Sequence, residues 1–447
     1  MKKRITAIVG AGAVLDFDYN NNQIKPLTSN ITNELVKICI EDENKNQCEL
    51  VKKVYDMLDR DLQKMNDLCR KNNSNHVGIN EAINFEVLFY AIESLYTYSK
   101  GWQNERYPFD RYPYPWLASL VKTPLEYDRE DYHNALMECT KRIIQIVDSY
   151  DNRFQNDETL EDWYRCFWLS FGNAIDVFTF NYDNTIENSV VKYNDGFVEL
   201  QKGVNHRVKR FEPEVLWYNK RSLPTICHLH GNIRYGLVDN PKFRPYYGYW
   251  DLYKYHDVDY EGLQNRMVFR FPTNQAREDT VCCPIITGLR KTDKLCYMPS
   301  NFYHAFFSQR MLRNPSILIV GISFGDLYAN QLIERHRLIY PNKQRIVMID
   351  YWSLEKKNDL TVLYEYVENH TSTGFRSFLL HLLCDGKWNL LPKSGTDLMK
   401  RLFVNNMEWR EHYWTLKDGR LRIYIDGFKK AVESYQDEII SYLKSNE

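Results

Sequence analysis

Four short runs of β-branched and other apolar residues constrain this chain more than anything else in it. They are RITAIVG at 4–10, AIDVFTFNY at 174–182, SILIVGIS at 316–323 and RIVMID at 345–350. Each is nearly continuous in apolar character, the pattern of a strand covered on both faces, as in a parallel sheet flanked by helices. TICHLHG at 225–231 is a fifth candidate. Several runs end in Gly, Asn or Asp, and open α/β sheets bind ligands outside the carboxyl ends of their strands. The expected fold class is therefore α/β, with a Rossmann-like parallel sheet.

Between the first two runs, NITNELVKICI (30–40), ELVKKVYDMLDRDLQKMNDLC (49–69), INEAINFEVLFYAIESLY (79–96) and YHNALMECTKRIIQIVDSY (132–150) repeat apolar residues every three or four positions. That spacing predicts helices, with caps at Thr28-Ser29-Asn30 and at Asn80 or Glu81. YPFDRYPYPW at 107–116 reads as a loop. The expected organisation is a sheet domain from 1–30 and 174–350, a helical insertion over 31–173 acting as lid or assembly surface, and a C-terminal α+β extension over 351–447. In the extension GTDLMKRLF (395–403) predicts a helix, YWTLKDGRLRIYI (413–425) a hairpin about Asp418-Gly419, and FKKAVESYQDEIISYLK (428–444) an amphipathic helix. Residues 232–284 are irregular and aromatic and read as a packed surface loop.

Composition excludes some classes. Hydrophobic and charged shares of 44% and 26% are globular values. A net charge of -1 argues against a stand-alone nucleic-acid binder that works by counterion release. The ten cysteines include no Cys-x-x-Cys pair, which suits reduced thiols in a cytoplasm. Ile5–Val9 is too short for the apolar core of a signal peptide, and no run of about 18 apolar residues predicts a membrane span.

The strand ends carry the chemistry. Gly10-Ala11-Gly12-Ala13 follows the first run directly. Glycine lets backbone amides approach a pyrophosphate, and a helix start favours its charge. Leu15 stands where the third glycine of the usual fingerprint would fall, so a plain strand-to-helix turn fits the same residues. Asn181 and Asp183 lie two residues apart in extended chain, so both can address one ligand. Asn suits a water or ribose hydroxyl and Asp a hydroxyl or carboxamide, while an Asx turn capping a helix from Asn184 is the competing reading. His228 and His230 likewise share a face. Imidazole can take a proton near neutrality. A metal pair needs a third ligand, for which the sequence offers no obvious residue. His228 is assigned a structural role. Gly321, Ser323 and Asp326 close the third run, where small side chains admit a nucleotide or simply form a turn.

In this order, GAGA at 10–13, FNYD at 180–183, HLHG at 228–231 and VGISFGD at 320–326 resemble the sirtuin superfamily, specifically its zinc-free prokaryotic sirtuin-like branch. RIVMID at 345–350 is similar to the family's last nucleotide-side strand. The resemblance covers most of 1–350, interrupted by the helical insertion. It implies that Gly10, Ala11, Gly12 and Ala13 hold the pyrophosphate of NAD and that Asn181 positions a water near the nicotinamide ribose. By the same likeness Asp183 contacts the nicotinamide amide and His230 is the general base. Gly321, Ser323 and Asp326 would touch the adenosine half, and Asp350 would reach its ribose.

The departures matter too. Between His230 and Val320 only Cys282, Cys283 and Cys296 occur, too few for the four-cysteine zinc ribbon of deacylating sirtuins, so no zinc is expected. Ala13-Val14 replaces the usual serine after the glycine motif. Without a peptide clamp, water is the expected attacker, giving nicotinamide and ADP-ribose. The resemblance further implies a cytoplasmic, homo-oligomeric, NAD-depleting effector of antiphage defence, with a HerA-type ATPase or Argonaute partner or a phage-derived trigger. The competing reading is a catalytically silent module that binds NAD or ADP-ribose or scaffolds a complex. A protein deacylase or ADP-ribosyltransferase is disfavoured by the missing zinc module.

Overall fold

The computed structural model describes residues 4–21, 23–41, 46–71, 83–103, 127, 129–199, 208–218, 222–239, 250–256, 269–272, 279–282, 285–288, 291–295, 298–340, 343–384 and 395–445. The predicted loop at 107–116, the cap at Asn80 or Glu81, and Cys283 and Cys296 lie outside them. Its strands are β1 (Ile5–Val9), β2 (Ile175–Thr179), β3 (Phe197–Glu199), β4 (Val208–Phe211), β5 (Thr225–His228), β6 (Tyr235–Asp239), β7 (Trp250–Tyr255), β8 (Phe269–Pro272), β9 (Asp279–Cys282), β10 (Ser316–Val320), β11 (Arg345–Ile349), β12 (Met407–Arg410), β13 (Tyr413–Leu416) and β14 (Leu421–Tyr424).

The principal sheet has eight strands in the order β12-β13-β14-β11-β10-β1-β2-β5. From β5 to β14 every neighbour is parallel, with Ile5 opposite both Ile175 and Ser316. The five predicted strands all lie in this parallel run. Read from β5, the order is that of a doubly wound Rossmann sheet. The chain leaves β1 toward β2 and β5, then returns to place β10 on the other flank of β1. The switch point, where such sheets open a crevice, falls between the carboxyl ends of β1 and β10.

The unbroken apolar runs follow from burial on both faces. Ala7, Val9, Val177, Leu318, Val320 and Val347 point into one core, while Ile8, Phe178, Ile317, Ile319, Ile346 and Met348 point into another. The first core also takes Leu88, Ile92, Leu136 and Ile143 from the helices Phe85–Gln103 and Arg129–Asn156. The second takes Phe306, Phe307, Phe375 and Leu379 from the helices Ser300–Arg313 and Thr373–Leu383. Each such side chain contributes roughly 1.5–3 kcal/mol of burial. The helices Phe85–Gln103 and Arg129–Asn156, between β1 and β2 in the chain, thus pack on one face of the sheet.

Residues 407–424 extend the same sheet. β14 joins β11 in parallel and folds back through β13 and β12, and the helix Phe428–Lys444 buries Phe428 and Ile439 in the first core. The 232–284 stretch departs from expectation. It supplies β6 and β7 to a second, four-stranded sheet ordered β3-β4-β7-β6. Its alternation is masked because Lys254 sits two residues from Leu252 on the same face and is equally buried.

Candidate functional site

At the switch point the chain packs backbone on backbone. A side chain on Gly12 would start 2.5 Å from the Cα of Gly321, and one on Gly10 would start 2.6 Å from the Gly321 carbonyl oxygen. Gly321 itself sits at φ +59°, where only glycine is unstrained. The amides of Gly10, Gly12 and Ala13 donate to Val320, Gly321 and Gly10, leaving the amide of Ala11, at the exposed head of the turn, without such a bond. The glycines therefore keep the crevice floor free of side chains and let β1 and β10 close on each other.

Across the crevice, β2 delivers Asn181 and Asp183, both buried. The Asn181 carbonyl accepts from His228, while its side-chain Nδ2 is buried with no partner. A buried amide donor left unmade costs about 1–3 kcal/mol unless something completes it. Asp183 is fully engaged. Its Oδ1 accepts from the Thr185 amide and hydroxyl, at the start of the helix Thr185–Ser189, and its Oδ2 accepts from Tyr150 at 2.9 Å. Burial, with the charge of Asp151 added, raises its pKa to about 6. The Asx turn at Asp183 and the unpartnered amide of Asn181 coexist in one loop.

β5 then places two histidines two residues apart with different surroundings. His228 is wholly buried. Its Nδ1 faces the Asn181 carbonyl at 3.0 Å and its Nε2 the Glu187 carboxylate at 2.6 Å. These two only accept, and the nearby Asn232 amide, 3.2 Å from Nε2, donates to Asn184 at 2.9 Å, so both ring nitrogens donate and the ring is an imidazolium. Burial opposes that charge, but Glu187 outweighs it and holds the His228 pKa above the ordinary value. Lys254 of β7 also reaches Glu187, at 3.2 Å, and Asp195, at 2.9 Å. Two cations and two carboxylates thus balance inside the protein, in keeping with the structural role predicted for His228.

His230 lies in the turn after β5, against the ring of Phe180 at 4.8 Å. Its Nε2 meets Asp326 Oδ2 at 3.1 Å. This contact is topologically long. His230 follows β5 and Asp326 follows β10, so the pair spans the carboxyl ends of β2 and β1 between them. Burial, then Lys291, pull the His230 pKa below its usual value, leaving a neutral imidazole at pH 7. Asp326 also accepts from the Ala329 amide as N-cap of the helix Leu327–Ile339. Desolvation is outweighed by His230, and its pKa falls to about 2. His304, close to His230, is buried with neither ring nitrogen in a completed hydrogen bond, although the Leu229 carbonyl lies near. Burial, with His230 adding, drives its pKa to about 4.

The sequence-predicted residues thus divide. Gly10 and Gly12 pack on Gly321, His230 pairs with Asp326, and all of these, with Asn181, follow the carboxyl ends of the parallel strands. Ser323 beside it is exposed. Asp350 is turned to its own loop, accepting from the Tyr351 amide and the Trp352 indole. Sequence reasoning missed Tyr150, Glu187, Lys254, Lys291 and His304. Only Glu187, one helical turn past Asp183, carried a local signal. A cavity of about 1150 Å³ lies at the opposite, amino end of the sheet, beside Arg4, Trp217 and Arg310. Arg4 is spent there on Asp176 and on backbone carbonyls, and none of the predicted residues lines it. Among the described residues no group of His, Cys, Asp and Glu is arranged to hold a metal, and no helix is long and apolar enough to cross a membrane.

Residues 176–369 match the model of the SIR2-like domain. The match supports membership of the sirtuin-like superfamily and is compatible with an NAD-dependent enzyme. It begins inside β2, so β1 and its glycine turn join the matched segment through the sheet rather than through the match. No curated protein matches the chain.

Proposed function

We propose that this protein hydrolyses NAD at the nicotinamide–ribose bond. The observation that carries the reading is a buried, neutral imidazole, His230, held by Asp326 at 3.1 Å, with an unpaired buried amide, Asn181 Nδ2, both at the carboxyl ends of the parallel strands whose glycine turns meet without side chains at the switch point. Orphaned donors inside a crevice fit a polar substrate, and SIR2-like domains use NAD. In the proposed reaction the C–N bond breaks with its electron pair leaving on nicotinamide. The ribose carbon becomes oxocarbenium-like, water held by Asn181 adds to it, and His230 takes the water proton. The products are nicotinamide, ADP-ribose and a proton. Gly10 to Ala13 would face the pyrophosphate through Ala11, and Ser323 would offer a hydroxyl to the nucleotide. Asp183 would act on nicotinamide only by shaping the loop that carries Asn181, since its own oxygens are engaged.

From the family resemblance alone, we extend the proposal to NAD depletion in antiphage defence, by a homo-oligomer working with an ATPase or Argonaute partner. Light scattering on the purified chain and co-purification with its genetic neighbours test that extension. For the chemistry, the full chain is incubated with NAD, with any such partner added, and nicotinamide and ADP-ribose are separated by chromatography. His230→Ala and Asn181→Ala should each slow release by about a hundred- to ten-thousand-fold with unchanged circular dichroism. Undiminished release by His230→Ala overturns the assignment. ADP-ribose binding without any turnover favours a silent binding module.

A further inference from the structure

The pairing across the crevice has a chemical consequence that rests on the reading of His230 as base. We infer that Asp326 is the positioning residue of this site: it fixes the tautomer of His230, so that Nδ1 is the nitrogen that accepts the proton. The carboxylate can only accept, so the His230 Nε2 that faces its Oδ2 at 3.1 Å carries the hydrogen. A neutral imidazole holds one proton. Nδ1 is then the bare nitrogen, and no described residue hydrogen-bonds it. The ring cannot turn freely either, because Phe180 lies against it at 4.8 Å.

Asp326 is itself immobilised. Its Oδ1 accepts from the Ala329 amide at 2.9 Å, so one carboxylate starts the helix Leu327–Ile339 and orients the base. It leaves the loop Gly321 to Gly325, in which Gly321 and Phe324 sit at φ +59° and +56°. Phe324 is held in that left-handed conformation by burial against Phe375 and Phe378 at 5.2 Å each. Strained backbone of this kind persists where packing over-determines it, and here it aims one side chain. The resemblance assigned Asp326 to the adenosine half; the geometry points it at the imidazole instead. Among the described residues, the other charged or titratable groups facing His230 are Lys291 and Glu86, paired at 2.6 Å, and His304.

The same arrangement makes Asp326→Asn diagnostic. Asparagine is as good an N-cap as aspartate, so the fold is kept. Its single oxygen goes to the Ala329 amide, turning the side-chain NH2 toward His230. That donor forces Nε2 to accept and moves the proton to Nδ1, the wrong nitrogen. In the serine-protease triad the equivalent change costs about ten-thousand-fold in kcat for this reason.

The full chain is labelled with 15N-histidine and the ring signals of His230 are assigned by their loss in His230→Gln. Wild type should show the Nε2–H tautomer and Asp326→Asn the Nδ1–H tautomer. In parallel, kcat for NAD should fall by about a hundred- to ten-thousand-fold in Asp326→Asn with KM nearly unchanged. Asp326→Ser, which keeps the cap but offers the ring no charge, should lower kcat less and shift the acid limb of the pH profile downward. An identical tautomer in wild type and Asp326→Asn, or wild-type kcat in the variant, overturns the inference. Undiminished activity in His230→Ala would instead sink the choice of base, and the ring spectra would still decide what Asp326 does.

Discussion

His228 and His230 are one residue apart from being neighbours, leave the same strand, and end in opposite chemical states. His228 has both nitrogens committed to acceptors and is held charged by Glu187 within a balanced quartet of buried ions. His230 has one nitrogen committed, the other open, and a pKa drawn downward by burial and by Lys291. Residue type and spacing are equal, so the difference lies wholly in what the rest of the fold brings to each ring. A fully partnered imidazole is structure. A half-partnered one is available for work.

The contrast can be broken experimentally. The largest effect is expected from His230→Ala, which should cut NAD hydrolysis by about two to four orders of magnitude while moving the urea midpoint hardly at all. His228→Ala should do the reverse in kind. Removing one member of a buried ion set leaves two carboxylates, Glu187 and Asp195, to the single cation Lys254, and chemical denaturation should show a loss of about 3–5 kcal/mol. Equal stability losses in the two variants would erase the distinction drawn here.

Two pH experiments sharpen it. The folded-state pKa of His228 is raised, so its stabilisation is full below the ordinary imidazole value and is lost as pH climbs through the raised one. Urea midpoints measured from pH 6 upward should therefore decline on the alkaline side, by at most about 1.4 kcal/mol per pH unit for this proton, and His228→Gln should flatten that decline. As the proposed base, His230 would work in its neutral form, so the rate should rise with pH through a value below the usual imidazole pKa and then level off. The smallest effect is expected from Lys291→Gln. Removing the cation that disfavours protonation should move this acid limb upward by less than about one pH unit. A limb that moves downward would mean that Lys291 does not act on the ring electrostatically.

Much of this was legible in the sequence. Branched, largely apolar runs marked β1, β2, β5, β10 and β11 because burial on both faces favours apolar residues, and their terminal Gly, Asn, His and Asp marked the crevice. Asp326 was readable as a strand-end residue but not as the partner of His230. The two are separated by most of a crossover and meet only because β10 lands on the far side of β1. Lys254 and Asp195 were silent for a related reason, and Glu187 offered only its place one helical turn past Asp183. A buried ion quartet follows no period and is assembled from different layers. The small β3-β4-β7-β6 sheet escaped because a lysine on its inner face disguises the alternation.

The register that seats Ile5 opposite Ser316 also sets a timetable for synthesis. A ribosome that has released the first strand must add more than three hundred further residues, as those two numbers show, before the second flank of that strand can pair. Until then an apolar edge stands open, an invitation to wrong partners, and the helices made in the interval can cover it during translation. The crevice between β1 and β10 is thus among the last features a nascent chain can acquire.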